Sequence, residues 1–124
     1  MPQPLERIAL RDDFDVVLAR QRAREISRSL GFGLTDQTRI ATAVSEVARR
    51  AMVNQGSISL VAISDGTRRG IECTCYGCDP LPATPAPFEI AGSLRGVEKL
   101  MDEFIWGNDA DRVVVMRKWV RGNA

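Results

Sequence analysis

Two stretches of helical periodicity stand back to back in this chain, separated only by Gly31-Phe32-Gly33, and that pairing limits the folds open to it. In the first, Val16, Ala19, Ala23, Ile26 and Leu30 recur at helical spacing, which predicts a helix from about Asp12 to Leu30 with one buried stripe. Asp12, Asp13 and Asp15 at its start favour the helix dipole, and Gly31 ends it. In the second, Ile40, Val44, Val47 and Ala51 form the buried stripe. Thr35 or Asp36 is the expected cap, and Asn54-Gln55-Gly56 the expected stop. A short strand, Leu5 to Leu10, precedes the pair.

After the helices the period changes to two. Ser57 to Ser64 and Arg69 to Tyr76, joined by Asp65-Gly66-Thr67, read as an antiparallel hairpin. Ile58, Leu60 and Ala62 share one face of the first strand. Ile71, Cys73 and Cys75 share one face of the second, and Glu72, Thr74 and Tyr76 share the other. Cys78 to Pro87 holds four of the six prolines, which remove amide donors and fix φ, so it reads as a stiff extended loop. Ser93 caps a third predicted helix with Leu94, Val97, Met101 and Phe104 as its apolar line. A strand from Phe104 to Trp106, a turn over Asn108 to Asp111 and a returning strand from Arg112 to Val120 complete the chain. Both faces of that last strand are fairly apolar. The order β-α-α-β-β-α-β-β does not alternate as a parallel doubly wound sheet does, so the expected class is α+β, with helices on one face of the sheet. A length of 124 residues suits one domain spanning 1–124.

Composition narrows the function. No apolar run approaches the roughly 18 residues of a membrane span, and Met1-Pro2-Gln3-Pro4-Leu5-Glu6 does not resemble a signal peptide. A net charge of +1 gives no general attraction to nucleic acid or anionic lipid. Fifteen of the 17 basic residues are Arg, the better partner for carboxylate or phosphate, which tilts the reading towards protein interfaces. Cys73, Cys75 and Cys78 are odd in number and clustered, which argues for a reducing, cytoplasmic setting rather than a disulfide framework. With no His in the chain they also lack the companions of a tetrahedral metal site. Arg20, Arg24 and Arg28 at i, i+4 and i+8 form a basic stripe, either a solvated face or a docking surface for an acidic partner. Trp106 and Trp119 read as packing residues.

Leu34-Thr35-Asp36-Gln37-Thr38-Arg39-Ile40-Ala41-Thr42-Ala43-Val44-Ser45-Glu46-Val47-Ala48-Arg49 resembles the motif helix of the anti-sigma-factor serine/threonine kinases, a branch of the GHKL ATPases, particularly the stressosome switch kinases. Arg95-Gly96-Val97-Glu98-Lys99-Leu100-Met101-Asp102-Glu103-Phe104, followed by Met116-Arg117-Lys118-Trp119, resembles the last helix and final strand of the same kinases. The resemblance spans nearly the whole chain. It implies a GHKL (Bergerat-type) two-layer sandwich with a mixed, mostly antiparallel sheet. It also implies an ATP pocket between sheet and helices.

Set against that pocket, the chain departs from the family at three places. Glu46 falls where the resemblance puts the catalytic base, but Arg50 falls where it puts the Mg²⁺-binding Asn. A guanidinium has only donors and a positive charge, so it cannot hold the metal. Glu46 and Arg50 at i, i+4 are expected to pair, either inside a closed pocket or on the surface. Gly77 stands where the adenine-reading Asp would be, and Asp79 where the following Gly would be. Asp79, before Pro80, reads more simply as a turn residue. The phosphate lid is reduced to Pro82-Ala83-Thr84-Pro85-Ala86-Pro87 with Gly92 and Gly96, and so offers few free amides. The pocket candidates are therefore Glu46, Arg49, Arg50, Gly77, Asp79, Gly92 and Gly96, with no metal site and no bound cofactor expected.

The expected function is partner switching in bacterial transcription or stress signalling, by binding proteins rather than phosphorylating them. Partners implied by the resemblance are STAS-domain anti-anti-sigma proteins, sigma factors or PP2C-type phosphatases, and neither nucleic acid nor membrane. The alternative is an active kinase that uses ATP and Mg²⁺ to phosphorylate a STAS-domain protein, with Glu46 as base and Arg50 as a phosphate contact. A third reading is a subunit that serves assembly alone.

Overall fold

The computed structural model describes residues 5–78, 93–107 and 112–121. The elements run β1 (Glu6–Ala9), α1 (Asp13–Leu30), α2 (Leu34–Met52), β2 (Ser57–Ser64), β3 (Arg69–Tyr76), α3 (Ser93–Glu98), β4 (Glu103–Trp106) and β5 (Val113–Trp119). The five strands form one sheet in the order β1-β2-β3-β5-β4.

Every pairing in this sheet is antiparallel, which corrects the expected mixed sheet. The connections explain it. α1 and α2 together carry the chain out and back, so β2 starts at the end of the sheet where β1 finishes and must run against it. The segment between β3 and β4 is a crossover, so these two strands point the same way, but β5 lies between them and opposes both.

α1 is bounded by two local devices. Asp12 at the N-cap accepts from the Asp15 amide at 3.2 Å, and the buried Asp15 carboxylate accepts in turn from the Arg11 amide at 2.9 Å. At the other end Gly31, at φ 95°, donates to the Arg28 carbonyl while Phe32 donates to that of Ser27. Two orphan carbonyls are thereby satisfied, and Phe32 turns into the core. α2 begins at Leu34, with Gly33 at the cap position and no side-chain cap bond, so neither Thr35 nor Asp36 has the expected role. The Asp36 carboxylate instead accepts from Arg39 at 3.2 Å and faces Lys118 at 3.8 Å.

The core lies between the helices and one sheet face. Val16, Ala19 and Ala23 of α1 and Ile40, Val44, Val47 and Ala51 of α2 meet Ile58, Leu60, Ile71, Cys73, Cys75, Val114 and Met116. Val97 and Met101 extend it under α3. The expected buried faces hold in their middle, but Ile26 and Leu30 at the end of α1 and Ala62 near the end of β2 are only half-buried, and Met101 and Phe104 lie beyond α3 rather than on it. On the other face Arg117 bridges Glu72 at 2.7 Å and Glu103 at 3.3 Å. Trp119 donates from its indole nitrogen to Glu103 at 2.7 Å and lies 4.1 Å beneath the Arg68 guanidinium, whereas Trp106 packs edge-on against Phe104 on the core side, opposite Val114 and Met116.

The Arg11 side chain, first, and then its amide hold the Asp15 carboxyl below its ordinary value of 3.8. A depressed carboxylate stabilises the fold above that ordinary value, and the contribution disappears as pH falls through the folded one. The stability gap between the protein and an Asp15→Asn variant is therefore expected to be full at neutral pH and to shrink below about pH 4. Urea unfolding followed across that range by circular dichroism measures it.

Candidate functional site

The C-terminal half of α2, the end of β3 and the start of β5 converge at one end of the sheet. Five hydrogen-bonded residue pairs make the junction. Asn54, two residues beyond α2, donates from Nδ2 to the Gly77 carbonyl at 2.9 Å. Gly77 and Cys78 both donate from their amides to the Arg112 carbonyl at 3.0 Å. Gly56 donates to the Ala51 carbonyl and accepts from the Leu10 amide at 2.9 Å, which ties the exit of α2 to the end of β1.

Gly77 sits at φ 84°, and a Cβ there would come within 3.0 Å of the Gly56 Cα. Backbone meets backbone at this point, so a side chain at position 77 would be strained by its conformation and would press on Gly56 by a few tenths of an ångström.

Glu46 is half-buried on the flank of α2, and its Oε1 accepts from Arg49 Nη1 at 2.8 Å. The ion pair described at Glu46 is thus one residue closer in sequence than the expected Glu46–Arg50 pair. Arg49 is 57% exposed, so this pair is solvent-screened and of small energetic weight. Arg50 is half-buried at the same end of α2 and is itself engaged with a partner. A guanidinium has only donors and a fixed positive charge, so Arg50 itself cannot ligate a magnesium ion. Gly96 lies in α3 with open space around it, and Asp79 and Gly92 lie outside the described residues. The structure therefore brings Arg50, Gly77 and the Glu46–Arg49 pair to one end of the helix layer and leaves Gly96 on a separate element.

Three surface grooves form among the described residues, and none of the three is lined by Glu46, Arg50 or Gly77. No group of three or more His, Cys, Asp or Glu able to hold a metal occurs among the described residues. No described helix is long and apolar enough to cross a membrane.

The cysteines sit beneath this junction. Cys73, Cys75 and Cys78 are buried and not disulfide-bonded. Burial pushes the Cys73 thiol well above its ordinary value. A hydrogen bond with Cys78, reinforced by burial, does the same for Cys75, whose Sγ also lies 3.6 Å from the Val47 carbonyl. All three are expected to resist a thiol reagent at neutral pH in the folded protein and to react together on unfolding. A fast-reacting thiol in a native labelling time course would contradict this.

Sequence reasoning passed over Asn54 and Gly56 as a mere helix stop. Their signal is the Asn-x-Gly run itself, but the partners lie over twenty residues away, so the run alone does not reveal the role.

No family model matches the chain. It is 31% identical over 127 aligned positions to the serine/threonine-protein kinase RsbT of Bacillus subtilis (strain 168), covering 92% of this chain and 96% of that protein.

Proposed function

Because this chain belongs to the family of anti-sigma-factor serine/threonine kinases, we propose that it is a partner-switching regulator built on the GHKL sandwich that binds protein partners without turning over ATP. The observation that carries this reading is the junction of α2 with β3. Gly77 holds a left-handed conformation tight against the Gly56 backbone, and Arg50 occupies the end of α2 where the family's metal ligand is expected. The loss is therefore not one substitution that a neighbour can offset. On this reading the metal position carries a cation, and the adenine position lacks its carboxylate. The partners on this reading are a STAS-domain anti-anti-sigma protein, a sigma factor or a PP2C-type phosphatase. With no nucleotide to bias it, the partner-binding surface stays in one state.

Titration calorimetry with ATP and magnesium tests the reading. Negligible heat at protein concentrations of tens of micromolar is expected, and micromolar binding would overturn it. A second reading, an ATP-dependent kinase acting on a STAS-domain protein, draws on the activity of the relative and on the retention of Glu46. Transfer of labelled γ-phosphate to such a protein, abolished by Glu46→Gln, would put this second reading in place of the first.

A further inference from the structure

A groove of about 500 Å³ runs between α1 and α2 at the end of the helix layer opposite the α2–β3 junction. It is lined by Gln21, Arg24, Glu25, Arg28, Leu34 and Gln37. The two elements are held in place beside it. Gln37 donates from Nε2 to the Phe32 carbonyl at 2.8 Å, and Arg24 reaches the Thr38 hydroxyl at 3.4 Å.

Its electrostatics are unbalanced. Seven arginines pair with carboxylates, Arg11, Arg22, Arg39, Arg49, Arg68, Arg117 and Arg121, whereas Arg20, one turn before Arg24 on the same stripe, does not among the described residues. Among the described residues Arg24 and Arg28 have no carboxylate partner. The two acids close to the groove are committed elsewhere. Glu25 accepts from Arg22 at 2.9 Å, and Asp36 accepts from Arg39 and faces the buried Lys118. At one end Leu34, the first residue of α2, is 72% exposed.

We propose that this groove docks an acidic segment of a protein partner, with carboxylates on Arg24 and Arg28 and an apolar side chain against Leu34. Charge complementarity selects the occupant. Two arginines one helical turn apart match carboxylates at the same spacing on a partner helix, and Arg binds carboxylate bidentately. The exposed leucine adds an apolar anchor that a phosphate backbone would not use. The positive charge is also confined to a short row on a chain of net charge +1, too small a footprint for nucleic acid. This surface is independent of the nucleotide site, so it stands whether or not the protein binds ATP.

The test is fluorescence anisotropy with the full chain and a labelled synthetic helical peptide that carries glutamates at i, i+4 and i+8 beside a leucine. The Arg24→Gln/Arg28→Gln double variant is expected to weaken binding at least about tenfold, and Leu34→Ser several-fold. Binding should also weaken with added salt. These side chains are exposed, so thermal unfolding of the variants should match that of the parent. The proposal is overturned by no binding of the peptide, by equal binding to parent and double variant, or by tighter binding of single-stranded DNA that the same variants abolish.

Discussion

Gly56→Ala is expected to cost about 3 kcal/mol or more of folding stability, far more than the substitution of most surface glycines. A Cβ at this position would run into the Tyr76 carbonyl oxygen and sit 3.2 Å from the Ala51 side chain. The obstacle is backbone, and it is already fixed by the β2–β3 ladder, in which Ser57 opposes Tyr76. Relief would require α2 to lift away from the end of β3, breaking the Asn54–Gly77 bond and the Leu10–Gly56 bond together. Urea unfolding of the variant beside Gly33→Ala makes the comparison. Gly33 has open space around it, so its replacement should stay within about 1 kcal/mol. Equal midpoints for the two variants would show that the close approach has no energetic consequence.

Lys118→Ala should be nearly as damaging, at about 3 kcal/mol, while Lys118→Met should lose roughly half as much. Lys118 is only 5% exposed, on the helix-facing side of β5. Its Nζ donates to the Leu100 carbonyl at 2.9 Å and lies 3.8 Å from Asp36 and 3.9 Å from Asp102. One ammonium thus ties the first turn of α2, the chain leaving α3 and the last strand. Alanine removes both the aliphatic stem and the donor, leaving a cavity and an orphaned carbonyl. Methionine keeps the stem and loses only the donor. Asp36 and Asp102 keep Arg39 and Arg121 as partners, which limits the damage from their lost cation. Thermal unfolding of the two variants separates packing from charge. If methionine cost as much as alanine, the polar contacts would dominate. If both were silent, the tie would carry no weight.

The helices and the hairpin were legible because their causes are local. The Val16-to-Leu30 stripe, the aspartates before it and Gly31 after it act within one or two turns. The alternation of Ile71, Cys73 and Cys75 likewise needs only its own strand. Where a local rule met a distant competitor it failed. Asp36 had the chemistry of a cap, but Arg39 and Lys118 hold its carboxylate, and Lys118 lies eighty-two residues on. Glu46 pairs with Arg49 three residues on, a contact as local as the one to Arg50 that spacing suggested.

The sequence by itself determined the α+β class, the boundaries of most elements and the family. It also put Arg50 one helical turn after Glu46 on the second helix. Only the tertiary structure decided that β5 lies between β3 and β4, that Gly77 packs tightly on the backbone of Gly56, and that Arg24 and Arg28 have no carboxylate partner among the described residues while nearby acids serve other cations. The reason is range. Hydrogen-bonding periodicity and capping act between residues a few positions apart. Strand order, close backbone approach and the competition of charges for partners are settled between residues that meet only once the chain has folded.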